Sequence, residues 1–374
     1  WARQISGASD EFAYTLAIAP GGGVYVAGSF TGSASVSGTP LSGGSGQSMF
    51  VARFDAAGLV VWSQQATSSQ VVSARGLAVD ASANLYVAGL FSNAAIFSGI
   101  PLTSAGGFDA FLAKYSSSGT LAWATSGGGA GSDDAQGVAV AANGVAYLCG
   151  GFGQSATFGT NSVNESATGN FYVAKYSSAG DALWVRTGTN GSGAGVAVAS
   201  SGAVFAVGSS SGAGGNFSVG GFSIIGTNGS TSSFLTELAD GGTVRNLFAF
   251  YGDPSAVASG IAAGPEDSLL VGGYMTGSLS GAGNTLTGYG GGGSLDGFVL
   301  RLAPPLFRVR IEPMAGAVRL AWPGVYSNAT VEAIENLETN ATWSVVAGTP
   351  SANGGDQVLS VPADLPKRFF RLRR

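Results

Sequence analysis

Four tryptophans divide the first half of the chain into equal intervals. They stand at Trp1, Trp62, Trp123 and Trp184, so each interval is 61 residues long. Two other series keep the same phase: aromatic residues followed by glycine (Tyr25/Gly28, Tyr86/Gly89, Tyr147/Gly150), and cations (Arg53, Lys114, Lys175, Arg301, with Glu237 in the fourth copy). Several series in one phase indicate a chain built from five copies of one unit of about sixty residues.

Each copy predicts four short β-strands. In the second copy they are "GLAVD", "NLYVAGLF", "DAFLAKYS" and "GTLAWATS", separated by Gly, Ser and Asn turn residues. Within the third of these strands, Phe111, Ala113 and Tyr115 share one face. A single small sheet cannot bury both of its faces, so each unit must stack on its neighbours.

The two ends of the repeat array complement each other. The strand "WARQIS" has no third strand before it, and the fifth copy stops at its third strand, "DGFVLRLAPP". We expect residues 1–6 to pair with 297–303, because closing a ring removes two exposed sheet edges. The sequence therefore predicts an all-β protein with a five-bladed β-propeller over residues 1–305, closed by the N-terminal strand, its blades near 7–67, 68–128, 129–189, 190–252 and 253–305.

A second module follows Pro304-Pro305. Glycine becomes rarer and longer alternating strands appear, among them "LFRVRIEP" and "AVRLAWP". Six or seven strands in under 70 residues predict a small Ig or fibronectin type III-like β-sandwich over 306–374, with Trp322 and Trp343 in its core.

The repeat motifs resemble a known family. Copies two and three are similar to the bacterial beta-propeller repeat called SBBP, on the segments "LYVAGLF", "DAFLAKYSSSGTLAWA" and "NFYVAKYSSAGDALWV". The resemblance covers residues 1–305. The final strand "RFFRLRR" resembles the end of fibronectin type III-like modules of exported bacterial proteins. The first resemblance implies a propeller fold and export, with no shared catalytic residues.

Composition narrows the class of partner. Charged residues make up 10% of the chain, there is no histidine, and residues 1–305 carry 8 basic against 15 acidic side chains. An acidic propeller disfavours nucleic acid as a partner, since nucleic-acid binding depends on basic patches.

No segment is long and apolar enough to span a membrane. The lone Cys149 lies in an apolar strand and predicts a buried, inert thiol. A first residue other than Met predicts a secreted or cell-surface protein whose signal peptide has been removed.

The carboxylates do not form a predicted catalytic pair. Acidic residues precede the first or third strands of several units: Asp10, Asp133, Asp134, Asp253, Asp109 and Asp296. We expect such aspartates to bond turn backbone. Asp80 is the one acid on the predicted inner strands, so a glycosidase pair lacks its second member. The sequence predicts no catalytic residue, no cofactor and no metal site. The repeated tryptophans predict packing between blades rather than sugar stacking.

The links between second and third strands are the longest of each unit, and they are rich in Ser, Gly and Thr. They predict one face of loops that presents a binding surface. Its candidate residues are Phe97, Phe158, Phe217, Phe222 and Tyr289, although Phe97 and Phe158 stand where the first copy has Val36, which favours packing. The first functional hypothesis is a non-enzymatic interaction or structural protein that binds another protein or self-assembles. A lectin-like glycan binder with equivalent pockets between blades is the second, and a polysaccharide hydrolase using Asp80 is the third.

Overall fold

The computed structural model describes residues 1–165, 169–210, 216–225, 231–281, 284–288 and 294–302, together with shorter stretches between 310 and 373. Those stretches are 310–314, 317–323, 330–334, 344–346, 348–353, 356–362 and 369–373. The chain divides into two compact bodies. The first consists of residues 1–264 and 269–301, and the second of residues 265–268 and 302–374.

The first two repeat units contain long strands. Unit 1 (7–67), with the segment before it, contains β1 (Ile5–Gly7), β2 (Glu11–Ile18), β3 (Val24–Val36), β4 (Thr39–Phe54) and β5 (Val60–Ser68). Unit 2 (68–128) contains β6 (Val71–Val79), β7 (Leu85–Phe97), β8 (Ile100–Tyr115) and β9 (Leu121–Gly128).

The next three units repeat this order. Unit 3 (129–189) contains β10 (Gly137–Val140), β11 (Ala146–Phe152), β12 (Ser155–Phe158), β13 (Asn161–Asn164), β14 (Asn170–Tyr176) and β15 (Ala182–Thr189). Unit 4 (190–252) contains β16 (Gly191–Val198), β17 (Val204–Ser210), β18 (Phe217–Val219), β19 (Phe222–Ile224), β20 (Ser232–Leu238) and the first part of β21 (Val244–Ala263). Unit 5 (253–305) contains the rest of β21, a 3-10 turn (Pro265–Asp267), β22 (Leu269–Gly281), β23 (Asn284–Thr287) and β24 (Asp296–Leu302). The prediction of an all-β chain is confirmed, since the described residues contain no α-helix.

Within units 1 to 4 the strands pair antiparallel in sequence order, from the first strand to the fourth. In unit 2, β6 pairs with β7, β7 with β8 and β8 with β9. The strands β2, β6, β10, β16 and β21 contact each other in that order, so that successive units stand side by side. The core lies between neighbouring units, as the alternating pattern requires. One buried cluster joins Tyr25 and Val51 of unit 1 to Val87 and Phe111 of unit 2.

The connection between second and third strands is an outer β-hairpin rather than a loop. In unit 2 the end of β7 pairs with the start of β8, from Ala94↔Thr103 to Phe97↔Ile100. The last residues of the preceding fourth strand pair with this hairpin, as in Ala66↔Phe97. The prediction of long loops is therefore wrong for these segments, and the binding face assigned to them stays a prediction. The Ser- and Gly-rich composition of these segments favours a loop. Their alternating apolar residues and two-residue turn instead let the two halves of each segment pair as a β-hairpin.

The predicted pairing of residues 1–6 with 297–303 is not formed among the described residues. Ile5–Gly7 pair with the outer hairpin of unit 1, residues 1–4 lie outside any strand, and β24 pairs with β22. The two facing surfaces are exposed: Leu16 and Ile18 of β2 are 65% and 66% accessible, and Val299 of β24 is 73% accessible. A physical reason lies in the sequence of unit 5, where Leu270 replaces the tyrosine that the first three units place beside their cation.

The C-terminal body contains two antiparallel sheets. One has the order β25 (Arg310–Met314), β26 (Ala317–Pro323), β30 (Asp356–Pro362), β29 (Ser351–Asn353). The other has the order β28 (Ser344–Val345), β27 (Thr330–Ile334), β31 (Phe369–Arg373). Leu320, Leu359 and Val361 of the first sheet are buried. Face-to-face packing as a sandwich stays a prediction. Trp322 lies on β26, and Trp343 lies outside the described residues.

Candidate functional site

Three of the five predicted surface aromatics lie in the core. Phe97 packs on Phe111 with ring centroids 4.9 Å apart, and Phe158 packs on Tyr172 at 4.6 Å. Phe217 of β18 stacks on Phe234 of β20, a strand of a different sheet, at 3.9 Å. All three rings are buried and cannot stack on a ligand. Phe222 is 39% exposed, whereas Tyr289 lies outside the described residues.

The repeated tryptophans join neighbouring units. Each indole N–H donates to a carbonyl in the turn between the third and fourth strands of the next unit: Trp1 to Ala56, Trp62 to Ser117, Trp123 to Ser178 and Trp184 to Asp240, at 3.0 to 3.2 Å. A glycine in that turn lies against the ring. Gly119, with φ at +87°, leaves no room for a side chain beside Trp62. The predicted packing role of the tryptophans is confirmed.

The repeated cations strengthen the same joints. Arg53 donates to the Ser117 carbonyl that also accepts from Trp62, at 2.7 Å, and its guanidinium lies 5.6 Å from the Tyr25 ring. The third unit repeats this arrangement with Lys175, which bonds both the carbonyl and the carboxylate of Asp240. Cation–π contacts contribute about 0.5–1 kcal/mol where solvent reaches them. The aromatic and cationic side chains that recur in every early copy therefore hold the scaffold together.

Of the aspartates predicted to bond backbone, Asp109, Asp133 and Asp134 do so, and Asp80 does so as well. Asp80 Oδ1 accepts from the N–H groups of Ser82 and Asn84 in its own turn. Asp133 accepts from Gly129 and Gly153, both near 2.8 Å. Burial raises the pKa of Asp133 and that of Asp109. The charge of Asp134 raises the pKa of Asp133 further, and the charge of Asp133 does the same for Asp109. These carboxylates anchor loops between units 2 and 3.

A β-bulge interrupts the innermost strand of units 1, 2, 4 and 5. The register with the second strand shifts between Ala13 and Thr15, and between Ala74 and Gly76. The extra residues are Tyr14 in unit 1, Arg75 in unit 2, Ala194 in unit 4 and Ser259 in unit 5. In unit 3 the equivalent residue is Gln136, which immediately precedes β10 and donates its backbone N–H to Cys149. A bulge turns its extra side chain out of the alternation of the strand.

The repeated glycines of the second strands make these bulges possible. A Cβ on Gly28 would meet the carbonyl of Phe12, and one on Gly89 would meet that of Ser73. The same collision recurs at Gly150, Gly208 and Gly273, each against the carbonyl two residues before the bulged position. Only glycine lets the inner strand approach this closely. The tyrosine-to-glycine motif in the sequence is therefore a marker of the bulge.

The bulged residues surround one central cavity of about 430 Å³. Every unit contributes to its wall, which is formed by Tyr14, Arg75, Gln136, Ser192, Gly193, Ala194, Ser209, Val257, Ala258, Ser259 and Tyr274. Pockets of this volume are typical of small-ligand sites. None of these lining residues was predicted as a site residue, although positions 14, 75 and 136 keep the 61-residue phase.

The cavity holds one cation without a carboxylate partner among the described residues. The Arg75 guanidinium lies 4.4 Å from the Tyr14 ring, and its Nε is buried without a hydrogen-bond partner in the described structure. Asp134 is not among the described residues of the wall, and it accepts from Gln136 Nε2 at 2.6 Å and from the Gly151 N–H at 2.8 Å. The remaining polar groups of the wall are serine hydroxyls and the phenols of Tyr14 and Tyr274, both about 40% exposed.

No protein-family model matches the sequence, and no curated protein is significantly similar to it. Among the described residues, no helix has the length and apolar character needed to cross a bilayer. The described residues also contain no group of three or more acidic, cysteine or histidine side chains placed to hold a metal ion.

Proposed function

We propose that this chain is a secreted or cell-surface binding protein without enzymatic activity, and that a five-bladed propeller holds its ligand in the central cavity. Three observations support the propeller assignment. They are the five repeat units, the contacts between the first strands of successive units, and the resemblance to SBBP repeats. The C-terminal module, with its fibronectin type III-like sequence, serves as a spacer or an assembly contact. The partner is a protein or a glycan.

One observation carries the assignment of the site. Five positions that are equivalent in the repeat and adjacent in space carry five different residue types: Tyr14, Arg75, Gln136, Ala194 and Ser259. Positions that only support the scaffold repeat their chemistry, as the tryptophans do. A ring of equivalent positions with unequal chemistry suits a single asymmetric ligand, because each side chain meets a different part of it.

The two other hypotheses receive less support. A lectin with equivalent pockets between blades needs open space at the joints, where tryptophan and tyrosine rings pack 5.7 to 6.1 Å apart. A hydrolase that uses Asp80 needs that carboxylate free, but both of its oxygens accept hydrogen bonds within its own turn.

The test is a ligand screen by thermal shift, with the full chain against panels of oligosaccharides, sugar acids and peptides. We expect a ligand that raises the melting temperature of the wild type, with the shift lost in Tyr274→Ala. The matched control is Phe222→Ala, which removes a ring of similar exposure on the outer hairpin. Loss of the shift in Phe222→Ala alone would place binding on the hairpins, and release of new reducing ends from a polysaccharide ligand would show an enzyme.

A further inference from the structure

We infer that the central cavity recognises a hydroxylated carboxylate, of the kind found in sugar acids, with Arg75 as its anchor. This inference rests on the proposed function of the cavity as the ligand site. It adds the chemical class of the ligand and the residue that selects it.

The first step is the state of the Arg75 charge. Among the described residues that line the cavity, Arg75 is the one cation and none is a carboxylate. Two salt bridges of the described structure join Lys175 to Asp240 and Arg245 to Glu237, and neither involves Arg75. A partly desolvated cation without a counterion is unfavourable, and an anionic ligand would supply the missing charge.

The second step is the geometry of the guanidinium. Stacking on Tyr14 at 4.4 Å holds the planar group in one orientation, so less conformational entropy is lost when it binds a ligand. A planar guanidinium matches the two oxygens of a carboxylate with parallel hydrogen bonds, which a spherical anion or a neutral hydroxyl does not reproduce. The anchor therefore favours a carboxylate over a halide or a neutral sugar.

The third step is the remainder of the wall. Ser192, Ser209 and Ser259 contribute hydroxyl groups, which both donate and accept hydrogen bonds. Tyr274, which belongs to unit 5, adds an exposed aromatic ring to the same cavity. Hydroxyl groups beside an aromatic ring suit a ligand that carries several hydroxyl groups and an apolar face of C–H groups. Together with the cation, this wall fits the carboxylate and hydroxyls of a sugar acid.

The experiment is calorimetric titration of the full chain with glucuronate and galacturonate, and with the matched neutral sugars glucose and galactose. We expect the sugar acids to bind at least about tenfold more tightly than the neutral sugars. Arg75→Gln should remove this preference, and Arg75→Lys should restore part of it because the charge returns without the planar fork. Arg301→Gln, which removes an exposed cation of β24 outside the cavity lining, should bind as the wild type does.

Several results would overturn the inference. They are equal affinity for acids and neutral sugars, unchanged acid binding in a folded Arg75→Gln variant, and the absence of acid binding by the wild type. Sulfate binding as tight as that of the sugar acids would show an anion site without carboxylate selectivity, which also contradicts the inference. A neutral ligand whose binding depends on Tyr274 would refute the ligand class and leave the cavity function intact. Ligand binding that survives Tyr274→Ala would refute the proposed function itself.

Discussion

At the scale of single residues, one joint of the scaffold differs from the others in charge. The turn position that accepts from the tryptophan is Ala56, Ser117 or Ser178 in the first three units and Asp240 in the fourth. The Asp240 carboxylate lies 2.6 Å from Lys175 and accepts from the Tyr147 hydroxyl at 2.5 Å. The bond to Lys175, and then the bond to Tyr147, lower the pKa of Asp240.

Replacing Asp240 with the serine of units 2 and 3 should destabilise the fold at pH 7 by about 0.5–1 kcal/mol, because the carboxylate is largely exposed and its ion pair is screened. The pKa of Asp240 is lowered on folding, so the stabilisation is fully present above the unfolded pKa of about 3.9. It is lost as the pH falls through the lower folded pKa. Urea unfolding of wild type and Asp240→Ser at pH 7 and pH 3 measures both effects.

Asp10→Ser is the matched control for this change, since Asp10 is an exposed aspartate that belongs to neither ion pair of the described structure. It should change stability by less than about 0.5 kcal/mol at either pH. A difference between wild type and Asp240→Ser that grows toward pH 3 would contradict the role of the ion pair.

At the scale of elements, the outer hairpins depend on a two-residue turn. Ser98 and Gly99 have φ values of +44° and +94°, and Ser37 and Gly38 repeat this in unit 1. Positive φ at both central positions is the signature of the type I′ turn, whose twist matches that of the flanking strands. Asn-Gly is the preferred pair for this turn, whereas serine pays a steric cost at the first position.

We expect Gly99→Ala to destabilise the protein by about 1 kcal/mol, because alanine disfavours the positive φ of this position. The cost comes from the backbone conformation and not from a clash of the added methyl group. No atom lies within 4 Å of a Cβ built at Gly99. Ser98→Asn should act in the opposite direction by a few tenths of a kcal/mol. Chemical unfolding of both variants is the measurement. Equal stability of Gly99→Ala and wild type would show that this turn does not hold its φ in solution.

The hairpins and the bulges also show what the sequence could and could not predict. The strands and their order followed from the repeat, because apolar alternation and turn residues act locally. The hairpin turns are predictable from Ser-Gly between Phe97 and Ile100, but the surrounding Ser and Gly residues favour a loop. The cavity was not predictable from composition, since a bulge depends on the approach of two backbones. Its trace is the glycine after each aromatic, such as Gly89.

At the scale of the whole molecule, the seam between units 5 and 1 remains open in the structure. Leu16 and Ile18 of unit 1 are exposed there, although their equivalents Leu77 and Val79 pack against the core between units 1 and 2. On the other side, Leu270 and Val299 of unit 5 are 42% and 73% exposed. Burial of apolar surface contributes about 25 cal/mol per Å², so closing the seam would be favourable.

The strand register within unit 1 identifies the residues that would pair if the seam between units 5 and 1 closed, and this gives a direct test of closure in solution. Ala52 pairs with Ser63, and the equivalent partners across the seam are Leu300 and Ala2. Neighbouring strands in register bring Cα atoms to about 4.5–5.5 Å, within the range of a disulfide. We expect Ala2→Cys/Leu300→Cys to form an intramolecular disulfide on mild oxidation, visible as faster migration on non-reducing gels. Ala2→Cys/Asp296→Cys, four residues out of register, should not cross-link. Disulfide-linked dimers would show that the strand edge meets a second copy, and reduced monomers alone would show that the seam stays open.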